Sequence, residues 1–161
     1  MSCKDFRTVD ATKIPIGKLI SIISKGQKIF INRKLNEFGI NSTQLYLLFE
    51  LDHHNEMNQD KIASRCNINK GAAARSIKKL EDMELVIREI DSDNRRQNKV
   101  YLTPKGKEVL AKSTIVLNKW EDEIFDDELI SKEEFQLILK QIAINIMEIN
   151  EREAKDDKKE E

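Results

Sequence analysis

Residues 58–106 decide the fold, and they read NQDKIASRCNINKGAAARSIKKLEDMELVIREIDSDNRRQNKVYLTPKG. The stretch opens with apolar side chains that recur at helical spacing and form one narrow face: Ile62, Ala63 and Cys66. Asn58 can cap this helix, because its side chain can accept from the free N–H groups of the first turn. Asn67 suits a tight turn, since Asn tolerates left-handed backbone better than any residue except Gly. The pattern predicts a short helix followed by a turn.

A second helix is predicted over residues 70–83, with Asn69 as its cap. One face of this helix is mostly apolar and is predicted to point inward: Ala73, Ile77 and Leu80, with Glu84 at its fraying end. The opposite face is basic, and its first turn carries almost no side-chain bulk: Gly71, Arg75, Lys78 and Lys79, flanked by Ala72 and Ala74. Small residues let the backbone approach bases and phosphates, and Arg75 can reach a guanine edge with two hydrogen bonds. An ordinary helix on a protein surface would show the same charges. The next segment therefore decides between a DNA-reading helix and an ordinary surface helix.

Two short strands are predicted next, over residues 85–91 and 99–102, joined by a polar tip. Arg95 and Arg96 lie on that tip, and an arginine on a ribbon suits a narrow minor groove with its strong negative potential. Thr103 as cap and Pro104 at the first position then begin another helix. A helix, a turn, a basic helix and a two-stranded ribbon, in that order, indicate a winged helix-turn-helix that reads DNA.

The ribbon tip and its exit, DSDNRRQNKVYLTPKG, closely resemble the multiple-antibiotic-resistance regulator (MarR) family. In that family an Asp, one residue, an Arg, five residues, Leu-Thr, two residues and a Gly follow in order. The matching positions here are Arg96, Leu102, Thr103 and Gly106. Asn94 stands where the family usually has an Asp that orients the arginine, and Ser92 where Pro is common. The resemblance extends from about residue 14 to residue 149 and includes INSTQ at residues 40–44.

The resemblance implies a mainly α (α+β) fold in one domain. The winged helix-turn-helix would occupy residues 42–103, between dimerisation helices at 13–38 and 104–157. It further implies a homodimeric transcriptional regulator, with repression the expected mode, that binds an inverted-repeat operator. The half-sites of such an operator would lie about 10 base pairs apart, centre to centre.

The expected DNA-binding residues fall into three groups. Arg75 and the small start of its helix (Asn69, Gly71 and Ala72) would face the major groove, and Arg95 with Arg96 the minor groove. The remaining candidates would contact phosphates, which position a protein without specifying sequence: Lys61, Arg65, Lys70, Lys78, Lys79 and Lys99.

The flanking helices carry more apolar surface than one small core needs. Helix 13–38 has a stripe on one side and two further isoleucines on another: Ile16, Leu19, Ile20, Ile23, Gln27 and Phe30, then Ile22 and Ile29. The last helix carries a seam close to a heptad repeat: Phe135, Ile138, Leu139, Ile142, Ile146 and Ile149. A helix apolar on two sides needs two partners, and a second copy of the chain would supply one of them.

Composition agrees with this interpretation. The 161 residues are 39% hydrophobic and 35% charged, and they include only two prolines and five glycines, which favours helix. Residues 58–106 hold eleven Lys or Arg against seven Asp or Glu, a net charge of +4, whereas residues 121–161 hold six against fifteen, a net charge of −9. The basic charge therefore lies on residues 58–106, the predicted DNA-reading head, although the whole chain has a net charge of −1. With no long apolar run and no signal-peptide core, we expect a cytoplasmic protein.

The resemblance also implies control by a small phenolic or other aromatic anion. Its pocket would lie among the helices at residues 13–38, 42–54 and 104–125. The possible anion partners are Lys18, Lys25, Lys28 and Arg88, and the sequence does not choose among them.

Other functions receive less support from the sequence. No nucleophile and base stand at catalytic spacing, no glycine-rich phosphate loop occurs, and His53-His54 lack further ligands, so neither an enzyme, a metal site nor a cofactor is expected. A redox-responsive regulator that uses Cys3, with Cys66 as the other thiol, remains an alternative. A winged-helix module used only for protein assembly is a second alternative, which the basic face with Arg75 argues against.

Overall fold

The computed structural model describes residues 3–90, 98–125 and 130–160, with side chains described for 4–90, 98–125 and 130–156. Helices dominate, and three short strands form one antiparallel sheet. The elements are α1 (Cys3–Arg7), α2 (Ile16–Leu35), α3 (Ser42–His54), β1 (Glu56–Asn58), α4 (Gln59–Arg65), α5 (Lys70–Asp82), β2 (Val86–Ile90), β3 (Asn98–Leu102), α6 (Pro104–Ile124) and α7 (Lys132–Glu160). The predicted mainly α fold with one small sheet is confirmed.

The first long helix is shorter than predicted. A one-turn 3-10 segment, Ala11–Lys13, lies before α2, which itself starts after Pro15, and a second such segment, Asn36–Phe38, follows the end of α2. Proline has no N–H and disfavours helical backbone in the residue before it, so the helix begins there. Gly39 has φ 69° and ends the segment in the left-handed conformation that glycine adopts without strain.

The centre of the core is α3. Asn41 and Gln44 form a reciprocal capping box at its start, in which each side chain accepts from the backbone N–H of the other. Four leucines of α3 are fully buried: Leu45, Leu47, Leu48 and Leu51. They pack in a core that also buries Ile31 and Leu35 of α2 and Ile62 of α4, so α3 anchors the elements that follow it.

The helix-turn-helix has the predicted caps. The Asn58 side chain accepts from Lys61 N–H at 2.9 Å, and that of Asn69 accepts from Ala72 N–H at 2.8 Å. Asn67 has φ 49°, which confirms the left-handed turn. These three asparagines set where α4 and α5 begin and how sharply the chain turns between them.

The predicted two-stranded ribbon is confirmed as the antiparallel pair β2 and β3, and β1 adds a third strand that was not predicted, which gives the order β1-β3-β2. Val86 pairs with Leu102 at one end of β2 and Ile90 with Asn98 at the other, while Met57 of β1 pairs with Val100. A three-residue strand such as β1 is too short to show an alternating pattern, which explains why it was not predicted.

Two side chains lie elsewhere than the helical pattern predicts. Glu84 was expected at the end of the inward face of α5, but the helix ends at Asp82 and Glu84 has φ 61° in the turn, with an exposed side chain. Cys66 was assigned to the buried stripe of α4 but follows the last residue of that helix and is only half-buried. In both cases the helical spacing in the sequence continues past the last residue of the helix, because the chain turns there.

The chain divides into two compact units, Met1–Val116 and Leu117–Glu161. In the second unit, Ser131 and Glu134 form a capping box at the start of α7. Lys132 Nζ lies 2.7 Å from Glu121 Oε2, and the rings of Phe125 and Phe135 have centroids 5.3 Å apart. These contacts fix how α7 begins.

Candidate nucleic-acid interface

Burial divides α5 into two faces. Ala73, Ile77 and Leu80 are fully buried, so the apolar spacing of the sequence holds this side against the core. The other side is exposed at Gly71, Arg75, Lys78 and Lys79, with Ala72 and Ala74 half-buried at its margins. The structure therefore brings the predicted major-groove residues together on one solvent-facing surface.

Most basic residues of the winged helix-turn-helix pair with a carboxylate. The pairs and their N–O distances are Arg65–Glu50 at 3.4 Å, Lys70–Asp60 at 2.9 Å, Lys78–Asp82 at 2.7 Å, Arg88–Glu81 at 2.9 Å and Lys99–Glu56 at 2.7 Å. Exposed ion pairs in water contribute about 0–1 kcal/mol each, so the exposed lysines can exchange a carboxylate for a phosphate at small cost. The bond to Asp82 raises the pKa of Lys78, which keeps that amine charged.

Within the described part of the winged helix-turn-helix, three exposed cations have no such partner: Lys61, Arg75 and Lys79. Arg75 is the arginine among them, and it projects from the exposed face of α5. A guanidinium that no carboxylate holds keeps its paired donors available for two acceptors on one base edge.

Arg75 also lies close to the bare first turn of its own helix. A Cβ built on Gly71 would stand 3.4 Å from Arg75 Nη1 and 3.4 Å from the capping oxygen of Asn69. The guanidinium therefore lies back over Gly71, where the free N–H groups and the positive end of the helix dipole also lie. The guanidinium donors of Arg75 and the free N–H groups of the helix start therefore share one small area.

The base of the ribbon is held by the residues of the Leu-Thr-x-x-Gly pattern. Thr103 Oγ1 donates to the Glu84 carbonyl at 2.7 Å and accepts from Gly106 N–H at 2.9 Å, and Thr103 N–H donates to the Leu85 carbonyl at 3.1 Å. A side chain at Gly106 would overlap that same carbonyl oxygen of Leu85. These contacts fix the exit of β3 and the start of α6 against the turn that follows α5.

Arg95 and Arg96, together with Ser92 and Asn94, lie outside the described residues, so the predicted minor-groove contacts remain predictions. The strands that lead to the tip are described, and Lys99 on β3 is held by Glu56 of β1. Tyr101 donates from its hydroxyl to the same carboxylate at 2.8 Å. This bond raises the pKa of Tyr101, because it stabilises the protonated phenol.

A group of three ionisable side chains lies where the end of α3 meets α4. Glu50 Oε2 stands 3.4 Å from Arg65 Nη1 and 3.7 Å from His54 Nε2, and that nitrogen has no hydrogen-bond partner. Burial, followed by the positive charge of Arg65, lowers the pKa of His54. The imidazole is therefore neutral at neutral pH, and Glu50 is left to hold Arg65.

A cavity of about 420 Å³ opens between α2, α3 and the turn that links α4 to α5. Its lining is Ser24, Gln27, Lys28, Ile31, Ser42, Thr43, Tyr46, Cys66, Asn67 and Ile68. Of the four predicted anion partners, Lys28 belongs to the lining, whereas Lys18 and Lys25 are exposed elsewhere on α2 and Arg88 pairs with Glu81. The third side of the cavity is the turn, where the resemblance implied the helix at 104–125.

The structure adds little support for a redox-responsive regulator or for a metal site. Burial and the charge of Glu50 raise the pKa of the Cys66 thiol, which disfavours the reactive thiolate. The side chain of Cys3 lies outside the described residues. Within the described ranges no cluster of three or more His, Cys, Asp or Glu side chains could hold a metal ion, and none of their helices is long and apolar enough to cross a membrane.

Sequence reasoning missed the acidic partners of the basic residues. Glu50 and Glu81 lie 15 and seven positions along the chain from Arg65 and Arg88, respectively. These separations carry no local pattern, because the pairs form between different elements. The predicted cations were visible from sequence, whereas which of them would be held in ion pairs was not.

Comparison with known proteins gives consistent matches. A model of the MarR family matches residues 40–97. The chain is 33% identical over 119 residues to a Bacillus subtilis (strain 168) protein named "Uncharacterized HTH-type transcriptional regulator YdgJ", covering 72% of this chain and 70% of the relative. It is 31% identical to a MarR transcriptional regulator from Methanosarcina mazei Go1 of known structure, with TM-score 0.75 over 83% of this chain and 97% of that one. The fold also matches the S. aureus MepR–DNA complex, at TM-score 0.72 and 21% identity over 84% and 99% of the two chains.

Proposed function

The chain belongs to the MarR family of transcriptional regulators, and we propose that it binds an inverted-repeat DNA operator as a homodimer. The observation that carries the proposal is the exposed outer face of α5, where Arg75 has no carboxylate partner among the described residues and lies over the small residue Gly71. A recognition helix enters the major groove by its N-terminal residues, which is where this face is barest. Arg75 would read guanine through two hydrogen bonds.

The phosphate contacts would come from the cations around this face. Lys61 and Lys79 have no ion pair in the described part of the chain, whereas Lys70, Lys78 and Arg65 would exchange theirs for phosphates. Each phosphate contact releases counterions, so affinity should fall steeply with salt. Arg95 and Arg96 of the wing tip, with Lys99 at its root, would add contacts in the minor groove and on the backbone beside it.

Support for the homodimer comes from apolar side chains that the single chain leaves in water. On α2 these include Ile16, 71% exposed, and on α7 they include Leu137 and Met147, 68% and 63% exposed. Monomeric proteins rarely expose contiguous apolar surface beyond a few hundred Å². Burial of these helices against a second copy would place two α5 helices about a two-fold axis, as an inverted repeat requires.

We further propose that DNA binding is repressive and that a small aromatic anion relieves it. The cavity beside the turn between α4 and α5 has the volume of a small-ligand site, with Tyr46 and Ile68 as apolar walls and Lys28 as the cation. A ligand there would contact both α2 and the turn that positions α5, so it would favour one placement of the reading head over another. A protein that acts on chromosomal DNA would work in the cytoplasm.

The test is selection of duplexes from a random-sequence pool, followed by titration of the selected duplex with the protein. We expect an inverted repeat to emerge. Arg75→Ala should weaken binding to it by about 1–3 kcal/mol and relax the preference at one position in each half-site. Arg96→Ala should weaken binding severely. The proposal fails if no sequence is enriched, or if Arg75→Ala binds the selected duplex as the wild type does.

A further inference from the structure

We propose that the Arg88–Glu81 ion pair is a brace that sets the angle between the recognition helix and the wing, so that both residues are positioning residues for DNA binding. Glu81 lies in the last turn of α5 and Arg88 in the middle of β2. Arg88 Nη2 stands 2.9 Å from Glu81 Oε2. The inference rests on the proposed function, because the angle matters only if α5 and the wing contact the same duplex.

The pair is partly withdrawn from water. The side chains of Arg88 and Glu81 are 26% and 34% exposed, and Arg88 faces the same side of the sheet as the fully buried Val86. In contrast, the pairs Lys78–Asp82 and Lys105–Glu84 have side chains that are all more than half exposed. Ion pairs with less solvent around them are screened less, so the Arg88–Glu81 contact holds its geometry more firmly than its neighbours hold theirs.

Arg88 depends on Glu81 for its position. Its Nε is buried and makes no hydrogen bond, so the described contact that orients the guanidinium is the one through Nη2 to Glu81. Removal of the carboxylate would leave a half-buried cation unpaired, and the side chain would have to move outward to reach water. Because Arg88 lies on β2 opposite Val100, such a movement would pull on the centre of the wing.

A short turn joins α5 to β2, and the Arg88–Glu81 pair adds a side-chain contact between them beyond this turn. Only residues 83–85 connect α5 to β2, and Leu85 N–H donates to the Leu80 carbonyl at 2.9 Å, which closes the turn. Beyond the turn β2 is an edge strand that pairs with β3 alone. The Arg88–Glu81 contact is therefore a side-chain link from the recognition helix to the outer edge of the wing.

The experiment compares Arg88→Met, Glu81→Gln and the double variant with a matched control, Lys112→Met, which breaks an i,i+4 ion pair on α6 away from the reading head. The affinity of each protein is measured for the selected operator and for a mixed-sequence duplex, beside its thermal midpoint. We expect each brace variant to bind the operator roughly ten-fold more weakly, equal to about 1.4 kcal/mol, with mixed-sequence affinity within about two-fold of wild type. The double variant should lose no more than either single variant, because both remove one contact. Arg88→Lys should recover part of the loss.

Two results would overturn the inference. In one, the brace variants lose operator and mixed-sequence affinity equally and in step with the thermal midpoint, which would indicate a structural role alone. In the other, they bind the operator as Lys112→Met does.

A second readout does not use DNA: residual dipolar couplings of the free protein report the angle between α5 and β2. The brace variants should change that angle and the control should not, so the brace can be refuted even if the wild type selects no operator. Glu81→Gln and Arg88→Lys keep the test decisive if Arg88→Met does not fold.

Discussion

Replacement of Gly106 by alanine tests how the wing base is built. Gly106 lies in the first turn of α6, and a Cβ there would overlap the carbonyl oxygen of Leu85 and stand 3.1 Å from Leu102 Cδ2. That carbonyl already accepts from Thr103 N–H. Alanine must therefore push the start of α6 away from the turn before β2, or break this hydrogen bond.

The size of the effect follows from three contributions. Overpacking of a tight contact costs about 1–3 kcal/mol, and a weakened backbone hydrogen bond costs about 1 kcal/mol. Alanine recovers about 1 kcal/mol of helix propensity relative to glycine. The net loss in the free energy of unfolding is about 2 kcal/mol, which for a chain of this length lowers the thermal midpoint by about 4–8 °C.

The assay is thermal and urea unfolding followed by circular dichroism, at one fixed protein concentration because association would itself stabilise the fold. Gly26→Ala is the matched control, since it makes the same change within α2 where an added Cβ meets nothing within 4 Å. We expect Gly26→Ala to unfold at the same temperature or slightly higher. An unchanged midpoint for Gly106→Ala, or equal shifts in both variants, would refute the argument from the close contact at the wing base.

Three further predictions concern charge. Because burial lowers the pKa of His54 in the folded chain, the unfolded chain takes up this proton first as the pH falls below about 6.5, and stability decreases until the folded imidazole also titrates. His54→Gln should flatten that slope in urea unfolding between about pH 7.5 and pH 5, and an unaltered slope would contradict the assignment. Lys79→Ala should weaken operator binding mildly and lower the salt slope by about one unit in anisotropy titrations, whereas an unchanged slope would remove it from the phosphate contacts. Lys28→Met should reduce the heat of salicylate binding in calorimetry, and equal heats would exclude Lys28 as the anion partner in the cavity.

Local chemistry explains which parts of the fold could be predicted from the sequence. Asn58, Asn67 and Asn69 mark the start, turn and restart of the helix-turn-helix, because cap and left-handed positions constrain single residues. The strand β1 was missed, since three residues carry no period, and the inward placement of Glu84 was wrong, because periodicity does not tell where a helix ends.

The candidate site shows the same division. The exposed basic face of α5 could be predicted from the spacing of Arg75, Lys78 and Lys79 alone. The pairing of Arg88 with Glu81, and the contribution of the turn after α4 to the cavity, depend on how separate elements pack. No local pattern records such contacts, so the sequence could name the cations but could not say which are free to bind DNA.

Half-site spacing tests the central claim most directly. The selected operator is compared with a version that carries five extra base pairs between its half-sites, which turns one half-site to the opposite face of the duplex. The proposal predicts that two chains bind each intact operator, and that the insertion lowers affinity to the level of mixed-sequence DNA. Equal affinity for both duplexes, or one chain bound per operator, would contradict a homodimer that presents two α5 helices to adjacent major grooves.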